Sequence, residues 1–217
     1  MQQEYSVVHM AEHTVAVDNT AAKKAVSHGD LGIVISGEPG AGKTTFAKEV
    51  AEYYGKEVYS VGEFWRKEYE KYKEEHQSGY STFEHYWGDI PLSKQRDANR
   101  GLKQYVARGM VVETRYVQIF PNKDECLIIY VHAPIEVRAE RIKERPEYSG
   151  KTSTEIEVIL KKRQKDEVEV GMKLFGSDYR NAKFYDLIFD SSVLTPKEEL
   201  SATEALMRKK LMGLVRK

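Results

Sequence analysis

The sequence predicts a three-layer α/β/α fold, in which a central parallel sheet is covered by helices on both faces. Apolar runs of strand length, including LGIVIS at 31–36, MVVETR at 110–115 and CLIIYVHA at 126–133, alternate with segments of helical pattern. Such continuous hydrophobicity is typical of parallel strands buried on both faces, and the helices between them form right-handed crossovers. Ligands collect beyond the carboxyl ends of these strands, so polar residues that directly follow them are the functional candidates.

The first strand leads into GEPGAGKTT at 37–45, which matches the phosphate-loop pattern G-x-x-x-x-G-K-[ST]. Glycines allow the backbone N–H groups to face phosphate oxygens, and the next helix presents its positive dipole end. Lys43 can reach the β- and γ-phosphates, and the Thr44 hydroxyl can bind Mg²⁺. A glycine-rich turn without a ligand is the alternative, but the flanking strand and helix favour nucleotide binding. The predicted nucleotide-binding residues are Gly37, Glu38, Pro39, Gly40, Ala41, Gly42, Lys43, Thr44 and Thr45.

The next segments continue the alternation of strand and helix. A helix over 44–54 ends at Gly55, and EVYSVGEFW at 57–65 is expected to form a short strand and a turn. From about 66 to 108 the sequence is helical, charged and aromatic, with Pro91 and several glycines as breaks. This length predicts an inserted helical flap rather than a simple crossover.

The second half of the chain predicts another helix, an insertion and the last strand. PIEVRAERIKER at 134–145 begins a helix with proline in its first turn, and YDLIFDSS at 185–192 is the last strand. A terminal helix follows from about Pro196. We divide the chain into an N-terminal extension at 1–30, a main domain at 31–200 and a C-terminal helix at 201–217.

The segment 146–180 lies between the last two predicted strands and is highly charged. Its polarity, together with Gly150, Gly171 and Gly176, favours a hinged lid over a fixed part of the core. Arg163 is the candidate catalytic arginine of this lid.

Composition restricts the partners that the chain can have. Lys and Arg together number 34, as do Asp and Glu, so no net charge draws the protein to nucleic acid or to an anionic membrane. Cys126 is the single cysteine and lies in an apolar strand pattern, which indicates a buried side chain. The sequence shows neither a membrane-spanning stretch nor a signal peptide, so we expect a cytoplasmic protein, and a monomer.

Charged residues follow the second and third predicted strands. Glu113, after the strand MVV, can orient the hydration shell of Mg²⁺, and Arg115 can face a second phosphate. Arg66 follows the second strand at the start of the flap. Each residue has an ordinary alternative, because an acid at a strand end can cap a helix and an isolated arginine is commonly solvated.

Two further sets of arginines have helical spacing. Arg96 and Arg100 are four residues apart, so they can complete a cationic surface in the flap, although Asp97 can equally make this a solvated helix. Arg141 and Arg145 lie with Arg138 along one predicted helix face. Guanidinium groups suit both phosphate binding and stacking on adenine.

These motifs together resemble the nucleoside monophosphate kinase superfamily. GEPGAGKTT, SVGEFWRK, GMVVETR, VHAPIEVRAERIKER and FYDLIFDSSVLTPKEE occur in the order and at about the spacing found there. With the flap stretch GYSTFEHYWGDIPLSKQRD, the chain is most similar to archaeal-type cytidylate kinases over roughly 31–200. The resemblance implies a P-loop NTPase fold with a helical flap for the phosphate acceptor and a mobile lid.

The resemblance also implies residue roles. Arg66 and Arg115 hold the acceptor phosphate, whereas Arg141 and Arg145 contact the donor nucleotide. The chain departs from the family pattern in its lid, where Val170 and Gly171 replace an arginine and a tyrosine, and at Thr114, which replaces a glycine.

We therefore expect transfer of the γ-phosphoryl group of ATP, with Mg²⁺, to a nucleoside monophosphate, CMP or dCMP. One alternative is a small-metabolite kinase on the same scaffold, in which the flap holds a hydroxyl substrate. The other is a regulatory ATPase without an acceptor. Arg66 and Arg115 favour the first reading, because such a switch has no use for a second phosphate site.

Overall fold

A computed structural model describes residues 31–76, 83–120 and 125–215 of the chain. Five parallel strands form one sheet: β1 Gly32–Gly37, β2 Val58–Ser60, β3 Val111–Glu113, β4 Cys126–His132 and β5 Leu187–Asp190. The described helices are α1 Lys43–Tyr54, α2 Val61–Glu75, α3 Phe83–Asp89, α4 Leu92–Arg100, α5 Leu102–Ala107, α6 Ile135–Ile142, α7 Ser153–Phe175 and α8 Pro196–Val215. The extension predicted at 1–30 lies outside the described residues, as does the part of the flap at 77–82.

The sheet has the strand order β2-β3-β1-β4-β5, with β1 at its centre. All six residues of β1 are buried, because it pairs with β3 on one side and with β4 on the other. The chain forms β2 and β3 on one side of β1 and then crosses β1 to form β4 on its other side. The carboxyl ends of β1, β3 and β4 therefore border one crevice, which is where α/β sheets bind ligands.

A hydrophobic core lies on each face of the sheet. On one face α1 and α8 pack against β1, with Phe46 meeting Phe189 edge to face at a centroid distance of 5.3 Å. On the other face Leu102 and Val106 of α5 pack with a cluster of tyrosines. These two cores confirm the predicted three-layer arrangement. Cys126 is buried, as predicted, and burial raises the pKa of its thiol to about 12.

The expectation of a strand and turn over 57–65 is corrected at its second half. The strand ends at Ser60, and α2 begins at Val61 without a turn between them. The Ser60 hydroxyl accepts a hydrogen bond from the backbone N–H of Glu63 at 3.1 Å, which satisfies a free donor in the first helical turn. Arg66 thus lies in the second turn of α2.

The lid segment contains one uninterrupted helix of 23 residues, α7. Thr152 and Glu155 form a capping box at its start, and Gly176 ends it with a φ of 71°. Gly171 lies inside the helix, so it does not mark a break in the chain. A methyl group on Gly171 would approach the ring of Tyr116 to 3.2 Å, because the helix and this ring are closely packed.

Candidate functional site

The phosphate-loop motif forms a tight turn between β1 and α1. Gly37, Gly40 and Gly42 have φ values of 144°, 82° and 90°, which favour glycine. At Gly37 a methyl group would overlap the backbone carbonyl of Val131. The loop can therefore lie directly against β4 and lead into the first turn of α1. Its backbone N–H groups lie near the N-terminus of that helix.

Lys43 is the first residue of α1 and is only 7% exposed. Its Nζ donates a hydrogen bond to the backbone carbonyl of Glu38 at 2.7 Å. Burial, and then the positive charge of Arg115, hold the pKa of Lys43 well below its usual value. An anion that enters the loop would stabilise the protonated, positively charged form of Lys43.

Side chains on either side of the phosphate loop support it, and the sequence predicted other roles, or none, for them. Arg138 is 4% exposed and donates to the carbonyls of Pro39 and Ala133 at 3.2 and 2.9 Å. It supports the loop and does not share an open face with Arg141 and Arg145. The buried Glu38 carboxylate lies 2.7 Å from Nδ1 of His132, and this hydrogen bond raises the pKa of the histidine.

Glu113 ends β3 and is 6% exposed. Its Oε2 accepts hydrogen bonds from the hydroxyls of Ser60 and Thr44, the latter at 3.3 Å. The predicted proximity of Thr44 and Glu113 is therefore present, and both offer oxygen atoms of the kind that Mg²⁺ prefers. Thr45, the next residue of α1, is exposed to solvent.

A small cleft, partly open to solvent, adjoins the phosphate loop at the ends of β2 and β3. Its lining consists of Val61, Gly62, Trp65, Phe83, Trp87, Gln95, Asn99, Glu113, Thr114, Arg115, Tyr116, Arg163 and Glu167. Aromatic rings from α2 and α3 form one part of the wall, two amides from α4 form another, and charged groups form the part nearest the loop. This combination of flat apolar surface and few polar groups is typical of a small-molecule site.

Two arginines and one glutamate form a cluster in the cleft, next to the loop. Arg115 approaches Glu167 with Nε–Oε2 and Nη2–Oε1 distances of 2.9 and 3.0 Å, and it also donates to the carbonyl of Gly37. Nε of Arg163 lies 3.1 Å from Oε1 of Glu167. Burial alone would lower the pKa of Arg115, but the charge of Glu167 outweighs it and the pKa is raised.

Arg66 reaches the same region from α2. Its guanidinium carbon lies 5.2 Å from the ring centre of Phe83, and that of Arg163 lies 5.7 Å from the same centre. Burial, and then the positive charges of Arg163 and Arg145, lower the pKa of Arg66. Arg115 and Arg163 line the cleft and Arg66 lies beside it, 3.9 Å from Glu147, so an anion bound there would offset the repulsion between Arg66 and Arg163.

The structure does not place Arg96 and Arg100 in the cleft wall. Both are exposed, whereas Gln95 and Asn99, each one position earlier, are 2% exposed and line the cleft. Asn99 also accepts a hydrogen bond from the Thr114 hydroxyl at 3.1 Å. A spacing of four residues places two side chains on one face of a helix, and the amide pair and the arginine pair both have it. The packing of α4 decides which of the two pairs faces the cleft.

Arg141 and Arg145 occupy different settings. Arg141 donates to the hydroxyl and the carbonyl of Ser191 at 2.8 and 2.6 Å, and it lies 3.5 Å from the carbonyl of Ala41. It is therefore beside the phosphate loop. Arg145 is exposed and follows the end of α6 at Ile142, so the predicted helix face does not extend to it.

Glu167 and the two amides were not among the predicted site residues. Glu167 is four residues after Arg163, a spacing that joins charges on one helix face and could have identified the pair. The lid departure is explained in part by packing, since Gly171 gives room to the ring of Tyr116. Among the described residues, no group of three or more His, Cys, Asp or Glu side chains could hold a metal ion. No described helix combines the length and apolar character needed to cross a bilayer.

Comparisons with known proteins find similar sequences that span most of the chain. The model of the cytidylate kinase-like family matches residues 32–193. The cytidylate kinase of Pyrococcus horikoshii is 30% identical over 175 residues, which span 81% of this chain and 87% of that protein. The cytidylate kinase of Methanopyrus kandleri is 30% identical over 183 residues, which span 80% of this chain and 91% of that protein.

Solved structures with the same fold include two kinases. A shikimate kinase from Acinetobacter baumannii in complex with shikimate has a TM-score of 0.54 at 15% identity, covering 84% of this chain and 96% of its own. A deoxyadenosine kinase from M. mycoides has a TM-score of 0.50 at 15% identity, covering 82% and 100%. At these identities the likeness concerns the fold alone, and it confirms the predicted P-loop kinase architecture.

Proposed function

The chain belongs to the cytidylate kinase-like family and is a nucleoside monophosphate kinase, and on that premise we propose that it transfers the γ-phosphoryl group of ATP to CMP or dCMP, with Mg²⁺. The observation that carries this proposal is the cleft beside the phosphate loop. Arg115 and Arg163 line its charged end, aromatic rings and amides form its wall, and Arg66 lies over the ring of Phe83 in that wall. A monophosphate attached to a planar base has the same two halves.

The donor side of the proposed site is the phosphate loop, from Gly37 to Thr45. Backbone N–H groups and Lys43 bind the phosphates of ATP, and Arg141 contacts the nucleotide from the far side of the loop. We also propose a donor contact for Arg145, which is exposed beyond the end of α6.

Mg²⁺ fits the oxygen atoms at the end of β3. Thr44 would bind the ion directly, while Glu113 would orient the ion's water molecules, since it already accepts from the Thr44 hydroxyl at 3.3 Å. A bound ion would neutralise part of the negative charge on the phosphates of ATP.

The acceptor side is the cleft. Arg66 and Arg115 hold the monophosphate near the loop, because guanidinium groups form paired charge-assisted hydrogen bonds with phosphate oxygens. The base lies between the aromatic wall and α4, where Gln95 retains a side-chain carbonyl oxygen while its Nε2 donates to the carbonyl of Ile90 at 3.1 Å. An amide carbonyl that faces the cleft can accept a hydrogen bond from the exocyclic amino group of cytosine.

Phosphoryl transfer needs little covalent chemistry from the protein. The two phosphates repel each other, so Lys43 and the arginines must hold both in line and stabilise the charge that develops on the transferred group. We propose that the flap at 66–108 and the lid at 146–180 close over the pair to exclude water, since α7 of the lid carries Arg163 into the cleft wall. Without closure the transfer would pass to water.

The test is an assay of ADP release with ATP and Mg²⁺ alone, and then with each nucleoside monophosphate in turn. We expect slow release with ATP alone and a large stimulation by CMP or dCMP. Stimulation by a different monophosphate alone would reject the cytidine preference and keep the kinase. Release that no monophosphate stimulates would reject the acceptor and favour an ATPase, and stimulation only by a small hydroxyl metabolite would favour a metabolite kinase.

A further inference from the structure

Glu167 lies where the proposed function requires a negative charge from the substrate. It is 2% exposed, lines the cleft and faces both Arg115 and Arg163. Arg115 donates from Nη2 to Oε1 at 3.0 Å and brings Nε to 2.9 Å from Oε2, which is buried without a hydrogen bond, and Arg163 adds a contact of 3.1 Å. One carboxylate thus occupies the inward-facing donors of two arginines at the loop end of the cleft.

The arrangement has the form of an occupied anion site. Two parallel N–H···O bonds from a guanidinium fit two oxygens of a carboxylate and two oxygens of a phosphate equally well. The charge of Glu167 also acts on Lys43 in the phosphate loop, where it opposes the lowering of the lysine's pKa. The carboxylate therefore interacts with Arg115, Arg163 and Lys43.

The backbone that carries Glu167 is fixed independently of its side chain. Tyr116 donates its hydroxyl proton to the backbone carbonyl of Glu167 at 3.1 Å, and the same ring packs against Gly171 one turn later. The helix is consequently held in place when the side chain changes its partners. Displacement of the carboxylate would therefore require a change in its side-chain rotamer, with the backbone left in place.

We propose that Glu167 is an internal counter-anion, which neutralises Arg115 and Arg163 before the acceptor binds and is displaced from them by the acceptor phosphate. This inference rests on the proposed function, because it takes the arginine end of the cleft as the place of the monophosphate. The carboxylate thereby sets a minimum negative charge that a ligand needs in order to bind at this end of the cleft. A doubly charged phosphate displaces it, whereas singly charged anions and neutral nucleosides do not.

A purely structural role predicts the opposite sign. If Glu167 only braced the arginines in the correct orientation, its loss would misplace them and weaken anion binding. If it competes with the substrate, its loss removes the competing negative charge beside Arg115 and Arg163 and strengthens anion binding. The direction of the change in affinity separates the two roles.

The test uses Glu167→Gln, which keeps the shape of the side chain and removes its charge. Calorimetric titrations with inorganic phosphate and with CMP are made in saturating ADP, so that the phosphate loop is filled and only the cleft responds. We expect both ligands to bind at least about tenfold more tightly to Glu167→Gln than to the parent. The matched control is Glu169→Gln, an exposed residue of the same helix, which should bind both as the parent does.

The outcomes distinguish this inference from the function on which it rests. Unchanged or weaker binding of both ligands by a folded Glu167→Gln, while the parent binds CMP, overturns the inference and leaves the kinase proposal intact. Tighter binding of inorganic phosphate, while neither protein binds any nucleoside monophosphate, supports the internal anion and rejects the proposed acceptor.

A second measurement uses the parent protein and does not depend on the folding of the variant. The Nε resonances of Arg115 and Arg163, observed by nitrogen NMR, should both shift when CMP saturates the protein, since their partner changes from carboxylate to phosphate. Resonances that stay in place at saturation would overturn the proposal.

Discussion

The phosphate loop and the cleft beside it are built in opposite ways. The loop comprises nine consecutive residues, and its proposed ligands are mainly backbone groups placed by three glycines with positive φ. The cleft takes its lining from α2, α3, α4, α7 and the end of β3, so residues as far apart as Val61 and Glu167 share one wall. A binding site made of backbone is defined by a short motif, whereas one made of side chains depends on how the elements pack.

The two regions also differ in how they balance charge. In the loop, the carbonyl of Glu38 is the one hydrogen-bond partner that the described residues offer to the ammonium group of Lys43, so a phosphate would add a charged partner. In the cleft, Arg115 and Arg163 already share a carboxylate. We therefore expect changes in the loop to remove activity outright and changes in the cleft to adjust affinity.

The largest expected effect is that of Lys43→Ala. Loss of one charge-stabilising group in a water-excluded site typically lowers the rate by about 10²–10³-fold, and we expect phosphoryl transfer to fall by this amount. The measurement is kcat with CMP, together with a thermal melt to show that the fold is kept. Lys48→Ala is the matched control, because Lys48 lies exposed on the same helix and should keep parent activity. Near-parent turnover by a folded Lys43→Ala would contradict the role of Lys43 in phosphoryl transfer.

The next effect separates the two regions by ligand. Arg66→Ala should weaken the monophosphate by roughly ten- to a hundredfold and leave ATP binding nearly unchanged, because a charge-assisted phosphate contact is worth about 1.5–3 kcal/mol. Arg141→Ala, beside the loop, should weaken ATP and spare CMP. Calorimetry of each ligand alone with each variant measures both effects.

Arg66→Lys is expected to restore only part of the loss, since a point charge lacks the two-pronged geometry of a guanidinium. Arg96→Ala is the control for the flap, because Arg96 is exposed on α4 and outside the cleft. If Arg66→Ala kept CMP affinity and lost ATP, our division into donor and acceptor regions would be wrong.

The smallest effect concerns the support beneath the loop. The hydrogen bond with Glu38 raises the pKa of His132, so this pair stabilises the fold fully below the histidine's ordinary pKa of 6.5 and loses its effect as pH rises through the raised value. Burial would raise the pKa of Glu38, but His132 and Arg138 outweigh burial and lower it, so the contribution is also lost in acid. It is greatest between the ordinary values of 4.5 and 6.5.

We expect His132→Gln to lower the free energy of unfolding by about 1 kcal/mol or less at pH 5.5, because the histidine is partly exposed and screened by solvent. At pH 8.5 the parent and the variant should differ less. Chemical denaturation at the two pH values measures the difference, with His76→Gln as a control at an exposed histidine. A gap between parent and His132→Gln that widened with pH would contradict the assigned pair.

The sequence by itself determined the layers of the fold and the phosphate loop. Continuous apolar runs specify strands buried on both faces, and the glycines of the motif specify a backbone path with little dependence on distant residues. It also identified the charged residues at the ends of β2 and β3, since the carboxyl ends of parallel strands meet at one edge of the sheet. The roles assigned to these site residues stay predictions until the variants are measured.

Only the tertiary structure decided which side chains face the cleft. Gln95 and Asn99 have the same helical spacing as Arg96 and Arg100, and a rotation of α4 by one residue would exchange the pairs, so the packing of the helix makes the choice. The pairing of Arg115 with Glu167 likewise joins residues 52 positions apart. Spacing along the chain fixes which residues share a helix face, but contact between elements sets the direction of that face, because it depends on the shape and volume of everything packed against it.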